Sequence, residues 1–294
     1  MEAVRMMAVE PYSPSKIRSD VPFLTALWGI SGMYVLLIIA VLAADASYTS
    51  AHDLWAALED PNVRASIWLT LLTCTATAIL SVIVSVPAGY VLARFNFPLK
   101  KIFDAILDIP IVLPPLVIGL SLLILFNQVM IGGQSIEKWI GGWMEGLHAW
   151  NENIPSGVTY KIPAIILAQF TVSCAFAVRT MRNTFEGIDP RQEEVAMTLG
   201  CGRSGAFWLI ALPQAARGVI AAATLAWARA LGEFGPVLVF AGATRGSTEV
   251  LATTVFLEIS IGNLEGAVAV SFLMIAVAIM VLGAVRLLGM RQSV

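Results

Sequence analysis

Charged side chains are scarce in this chain, so those at regular spacing inside apolar stretches are the ones able to do chemistry. Arg229 and Glu233 stand four residues apart in Ala228-Arg229-Ala230-Leu231-Gly232-Glu233-Phe234-Gly235-Pro236. That spacing puts them on one helix face, where they can pair. Ionisable groups in apolar surroundings are costly and mark the paths of ions or polar solutes. Pairing that only lowers the cost of burial is the competing explanation. Gly232, Gly235 and Pro236 loosen the helix at the same level, so Arg229, Glu233, Gly235 and Pro236 read as a gate or pathway element. A second group is Asp104 and Asp108, followed by Leu113-Pro114-Pro115 and Gly119. The aspartates are expected to pair with Lys100, Lys101 or loop arginines. A proton relay through them lacks a third titratable partner in another span. The double proline breaks helical hydrogen bonding and predicts a bent helix in the interior of a bundle, which adds Pro114, Pro115 and Gly119 to the pathway candidates.

A third group is a polar block, Glu193-Glu194-Val195-Ala196-Met197-Thr198-Leu199-Gly200, followed after nine residues by Ile210-Ala211-Leu212-Pro213. Its flanks are apolar enough to span a membrane. A loop so polar has no place in hydrocarbon and must project into water. Asp189-Pro190 suits a helix start, with Asp at the N-cap and Pro at the first helical position. Glu193 and Glu194 then lie near the positive end of a short helix, which Gly200 and Gly202 stop. Phe207 to Ile210 lead back to the membrane, and Pro213 opens the next span. The product is a short, rigid helix across the mouth of a bundle.

Other chemistries are excluded. Cys74, Cys174 and Cys201 have no metal-ligand spacing, and His52 and His148 are isolated, so no metal site is expected. Gly200-Cys201-Gly202-Arg203-Ser204-Gly205 satisfies G-x-G-x-x-G, but outside a βαβ unit the pattern does not mean dinucleotide binding. No phosphate loop of the form G-x-x-x-x-G-K-[ST] occurs, so no cofactor is expected on this chain and energy must come from a partner or an ion gradient. No catalytic constellation is present. The net charge of −2 suggests no nucleic-acid partner.

The elements that must position these residues are spanning helices. The chain is 58% hydrophobic and 13% charged, against roughly 25% charged for a soluble domain. Six segments are long enough to cross a bilayer: 23–44, 66–94, 102–126, 162–181, 214–241 and 266–288. The first is too long for a signal-peptide core and reads as a retained anchor. Thirteen Lys and Arg fall on the side holding both termini and the polar block, against four (Arg64, Lys138, Lys161 and Arg245) on the other. The positive-inside rule therefore puts both termini and the block in the cytoplasm. On the opposite side, 134–148 and 52–60 carry Trp at amphipathic spacing and suit the membrane interface.

Glu194-Val195-Ala196, Gly200 and Ile210-x-Leu212-Pro213 resemble the cytoplasmic loop of permease subunits of type I ABC importers. That loop has the form E-A-A, three residues, G, nine residues, I-x-L-P, and Val195 is the one departure. The stretch from Ala228 through Thr248, with the Leu113-Pro114-Pro115 run and Gly119, resembles the molybdate, tungstate and sulfate branch. The resemblance implies an all-α fold: a polytopic membrane bundle of six transmembrane helices. It divides the chain into a cytoplasmic segment 1–22, a first transmembrane helix 23–44, a permease core 64–288 with coupling loop 182–213, and a tail 289–294. It implies that Glu193, Glu194, Ala196, Gly200, Ile210, Leu212 and Pro213 couple to an ATPase. The implied partners are two ATP-binding-cassette subunits carrying ATP and Mg, a second permease copy forming a homodimer, an external solute-binding protein and the bilayer of the cell (inner) membrane. The expected cargo is molybdate or tungstate, with sulfate, thiosulfate or another solute as the alternative. An ion-coupled secondary transporter, with its coupling site at broken helices, is the rival from another class.

Overall fold

The computed structural model describes residues 20–150 and 157–290. The segment before residue 20 and the tail beyond 290, both assigned above to the cytoplasm, lie outside the described residues. The chain divides into two units, residues 1–48 and 49–294. In the first unit, α1 (Val21–Tyr48) is apolar and exposed along its length.

The second unit runs through α2 (Ala51–Glu59), α3 (Pro61–Arg94), α4 (Lys100–Val112), α5 (Pro115–Gln128) and a two-residue hairpin, β1 (Met130–Ile131) with β2 (Gln134–Ser135). It continues with α6 (Ile136–Trp150), α7 (Ile162–Glu186), α8 (Arg191–Thr198), α9 (Arg203–Ala206), a π-helical turn (Phe207–Ala211) and α10 (Leu212–Gln214). Then follow α11 (Ala216–Leu231), α12 (Gly235–Phe240), α13 (Leu251–Ser260) and α14 (Leu264–Met290). Among the described residues, four helices are long and apolar enough to cross a membrane, or six when each of two bent pairs counts as one span. The expected span 102–126 falls on a bent pair, α4 and α5, meeting at 112°, where Pro114 and Pro115 withhold the N–H groups a continuous helix needs. The expected span 214–241 likewise stops at Leu231 and restarts at Gly235.

The axis of the second unit is the α3–α7 pair. Along α3 the residues Ser66, Thr70, Thr73, Thr77, Ser81 and Ser85 are all buried, a stripe at i, i+4, i+7 spacing that lets two backbones close up. Thr77 Oγ1 donates to Gln169 Oε1 at 3.2 Å, and Gln169 Nε2 to Cys74 Sγ at 3.7 Å. At Gly89 the approach is tightest, since a Cβ there would lie 2.7 Å from Met181 Cβ and 2.8 Å from Arg182 N. In lipid no hydrophobic force drives helices together, so this close packing supplies the association. Thr70 Oγ1 also accepts from Leu251 N at 2.9 Å, which seats α13 on α3. Ala222, Ala226 and Ala230 of α11 bury completely against this pair.

Replacing Gly89 with Val should cost more than the roughly 1–3 kcal/mol of ordinary overpacking, because the obstacle is backbone. The expected result is a marked drop in inserted, monodisperse protein, read by detergent size-exclusion chromatography and a thermal melt.

Candidate coupling loop and gate

The polar block folds into α8, α9, the π turn and α10. Its second helical stretch ends near Pro213, which lacks an N–H and crowds the carbonyl four residues back. The helix answers by widening, and Leu212 N reaches Phe207 O five residues back. Gly200 adopts φ +93 after α8, the left-handed stop expected of it. Asp189 Oδ1 accepts from Arg191 N at 3.0 Å, although the cap position itself falls on Pro190.

The two glutamates of α8 differ in surroundings, Glu193 buried and Glu194 exposed. Glu193 turns inward and is 5% exposed. Its Oε1 accepts from Arg94 Nε at 2.8 Å and its Oε2 from the Tyr90 hydroxyl at 2.6 Å. Arg94 gives two further donors to backbone carbonyls at the end of α7: Nη1 to Phe185 O at 2.8 Å and Nη2 to Ile188 O at 2.9 Å. Rings close the node, with Tyr90 edge-on to Phe185 and Phe207 at 5.3 and 4.8 Å between centroids. One guanidinium thus joins the end of α3, the end of α7 and α8, and Tyr90 ties the π turn to them. Outward, Glu194, Val195, Leu199 and Gly200 are exposed, Leu199 at 84%. Ala196, Ile210 and Leu212 are half-buried, and Pro213 is exposed. The resemblance implies the same part for Glu193 as for Glu194, whereas the Glu193 carboxylate is spent inside the chain. Arg94 counted only as a charge at a loop edge. The available signal was Tyr90 and Arg94 one turn apart at the end of a span, opposite an acidic pair.

Asp104 and Asp108 of α4 pair with α7: Arg182 Nη1 with Asp104 Oδ1, and Arg179 Nη2 with Asp108 Oδ2 at 2.7 Å. The partners are helix arginines, and Lys100 and Lys101 take no part in these pairs.

The gate candidates converge on one crossing. A Cβ at Gly119 would lie 2.9 Å from Pro236 Cα, and one at Gly235 would lie 3.1 Å from both Leu116 N and Pro115 Cβ. α5 and α12 therefore cross backbone against backbone, with Pro115, Gly119, Gly235 and Pro236 at the contact. Pro114 is exposed at the bend. Just before this crossing Arg229 Nη1 lies 2.8 Å from Glu233 Oε1, at an angle that makes no hydrogen bond to that oxygen. Glu233 is 1% exposed, whereas a third of the Arg229 side chain is open. The guanidinium also stacks 5.6 Å from the Phe176 ring centroid, a contact of cation–π type. The arrangement is a partly accessible cation backed by a buried anion at a helix break. Among the described residues no cluster of three metal-ligating side chains occurs.

Residues 85–293 match the family described as binding-protein-dependent transport system inner membrane component. The chain belongs to this family. It is 30% identical to a molybdenum transport system permease protein, ModB, of Mycobacterium tuberculosis, covering 90% of this chain and 93% of the relative. It is 34% identical to a molybdate/tungstate permease protein, WtpB, of Thermococcus kodakarensis, covering 73% and 77%. It is 29% identical to a sulfate permease protein, CysT, of Escherichia coli, covering 93% and 95%. The fold matches a bacterial ABC transporter that imports alginate, with TM-score 0.63 at 15% identity over 92% of this chain and 96% of that one. Such a distant likeness speaks for the fold, that of an importer permease, and the family membership makes this chain a transport component and not an enzyme.

Replacing Arg94 with Ala strands the Glu193 carboxylate and two carbonyls. Breaking a buried pair from one side typically costs about 3–5 kcal/mol. The expected outcome is a lower melting temperature and loss of coupled transport. Arg94→Lys should rescue only part of each, since lysine keeps the charge without the fork.

Proposed function

We propose that this chain is the transmembrane subunit of an ATP-driven importer for a tetrahedral oxyanion, molybdate or tungstate. Two such subunits form a homodimer, two ATP-binding-cassette subunits dock beneath it with their ATP and Mg, and an external binding protein delivers the cargo. The observation that carries this reading is the two-faced loop. Its inner face is pinned by Glu193 to α3 and α7, and its outer face offers Glu194, Val195, Ala196, Leu199 and Gly200 to a soluble partner. A lever needs both a rigid attachment and a free docking face. Closure of the ATPases on nucleotide moves α8, the Arg94 node passes the motion to the α3–α7 axis, and the bundle changes between outward and inward openings by differential stability of the two states. The basic residues on the loop side support a cytoplasmic location for the loop and both termini.

At the helix break, Arg229 supplies the positive charge a dianion needs, and Glu233 offsets that charge when the path is empty. Pro114, Pro115, Gly119, Gly235 and Pro236 form the bend and crossing that open the path. Sulfate is the second reading for the cargo, favoured by the similar identity to sulfate permease proteins. In reconstituted vesicles with the partner subunits, ATP-dependent uptake of labelled molybdate should be blocked by tungstate at low excess and by sulfate only at high excess. Equal competition by sulfate would move the cargo to the second reading.

Glu194→Lys or Gly200→Leu should leave insertion unchanged, abolish ATP-driven uptake and reduce co-purification of the ATPase. Normal uptake by both variants would remove the docking role from this face.

A further inference from the structure

Three arginines stand at successive levels of the bundle, each beside a carboxylate and each still accessible. Arg229 of α11 stacks on Phe176 of α7, 5.6 Å from the ring centroid. Arg179 follows three residues further along α7, and Arg182 three residues beyond that. At about 1.5 Å of rise per residue, each step descends about 4.5 Å towards the loop end and turns about 60° round α7. The carboxylates are Glu233 for Arg229 at 2.8 Å, Asp108 for Arg179 at 2.7 Å, and Asp104 with Glu186 for Arg182. None of the three cations is enclosed: the side chains of Arg229, Arg179 and Arg182 are 33%, 54% and 30% exposed. A guanidinium carries five N–H donors, and Asp108 engages Arg179 through Nη2.

α7 is long and apolar enough to span a bilayer. Charged side chains in spanning segments face water or protein and not hydrocarbon. An accessible row of arginines descending along α7 therefore marks a wet face of the bundle. Two of the carboxylates, Asp104 and Asp108, sit together on α4, which meets α5 at the 112° bend. A change at that bend carries both away from the α7 arginines at once.

A guanidinium fork binds oxyanions and carboxylates alike through parallel N–H···O bonds, so the carboxylates on this row are displaceable stand-ins for a passing anion. We propose that Arg229, Arg179 and Arg182 form a relay, along which a tetrahedral oxyanion passes from the helix break to the loop end, displacing Asp108 and then Asp104. The relay rests on the oxyanion-import reading above and adds an exit route to it. Serial sites suit transport, because each must attract the anion and then release it. A carboxylate waiting beside each guanidinium provides the release.

The complete importer, with its ATPase and binding protein, is reconstituted in vesicles, and ATP-driven uptake of labelled molybdate and of labelled sulfate is timed. Arg179→Gln should lower the maximal rate about tenfold, the low end of what focusing by fixed charge supplies. The half-saturating concentration of loaded binding protein should not change. Arg179→Lys should keep most of the rate. The discriminating variant joins Arg179→Gln to Asp108→Asn, which removes both charges and leaves two neutral amides. If the pair only holds α4 to α7, the double change restores uptake. If Arg179 carries the anion, the rate stays at the level of the single variant. The double variant leaves no unpaired charge, so it keeps the test open where the single variant fails to insert. Normal uptake by Arg179→Gln, or restored uptake by the double variant, would overturn the relay alone. A wild-type importer that takes up neither anion would overturn the oxyanion reading, and the relay with it.

Discussion

The fold's one non-negotiable constraint is that a buried charge must be paired, and Arg94 is where the chain meets it. Its guanidinium has donors for Glu193, Phe185 O and Ile188 O, and each partner belongs to a different piece of the loop end. The Arg94 and Glu193 side chains are only 11% and 7% exposed, so each contact is worth more than at a surface and each loss leaves an orphan. The position of α8 follows from this node, and with it the outward direction of Glu194 and Leu199. The docking face proposed for this loop would otherwise have no fixed orientation relative to the spanning helices.

Away from the node the chain relies on close approach of backbones. Gly89 at α3–α7 and Gly119 with Gly235 at α5–α12 admit contacts that any side chain would block. The two crossings differ in what surrounds them. α3, with Pro87 inside it, and α7 both run through the contact without a break and are joined further along by hydroxyl and amide hydrogen bonds. α5 begins at Pro115 and α12 at Gly235-Pro236, each next to an interrupted helix. Interrupted helices free backbone groups and lower the cost of bending, so the first crossing suits a fixed axis and the second a moving part. Arg229 and Glu233 lie beside the second.

The sequence read well where a local rule decides the outcome. Gly200 must stop α8, Arg229 and Glu233 must share a face, and Pro114-Pro115 must break a helix. It read less well where tertiary partners decide. Hydropathy alone joins 102–126 into one span, because it sums apolar residues and carries no information about the bend angle. Glu193 and Glu194 look equivalent in a row, yet neighbours a helix step apart face about 100° away from each other, and only the position of Arg94 tells which faces inward. Asp104 and Asp108 are expected to pair with Lys100, Lys101 or loop arginines, and the choice falls on Arg179 and Arg182 because α4 folds onto α7. The family to which the chain belongs was legible in the gapped loop pattern, which is specific because it spans two helices and a turn.

The measurement that bears most directly on this account is the composition of the native complex. A tagged copy purified from its own membranes in mild detergent and weighed intact should carry an ATPase with a phosphate loop, in one-to-one ratio with the permease chains. That subunit should be lost when Glu194 and Gly200 are changed. A chain that purifies reproducibly alone, or only with itself, would contradict the lever and favour an ion-coupled transporter.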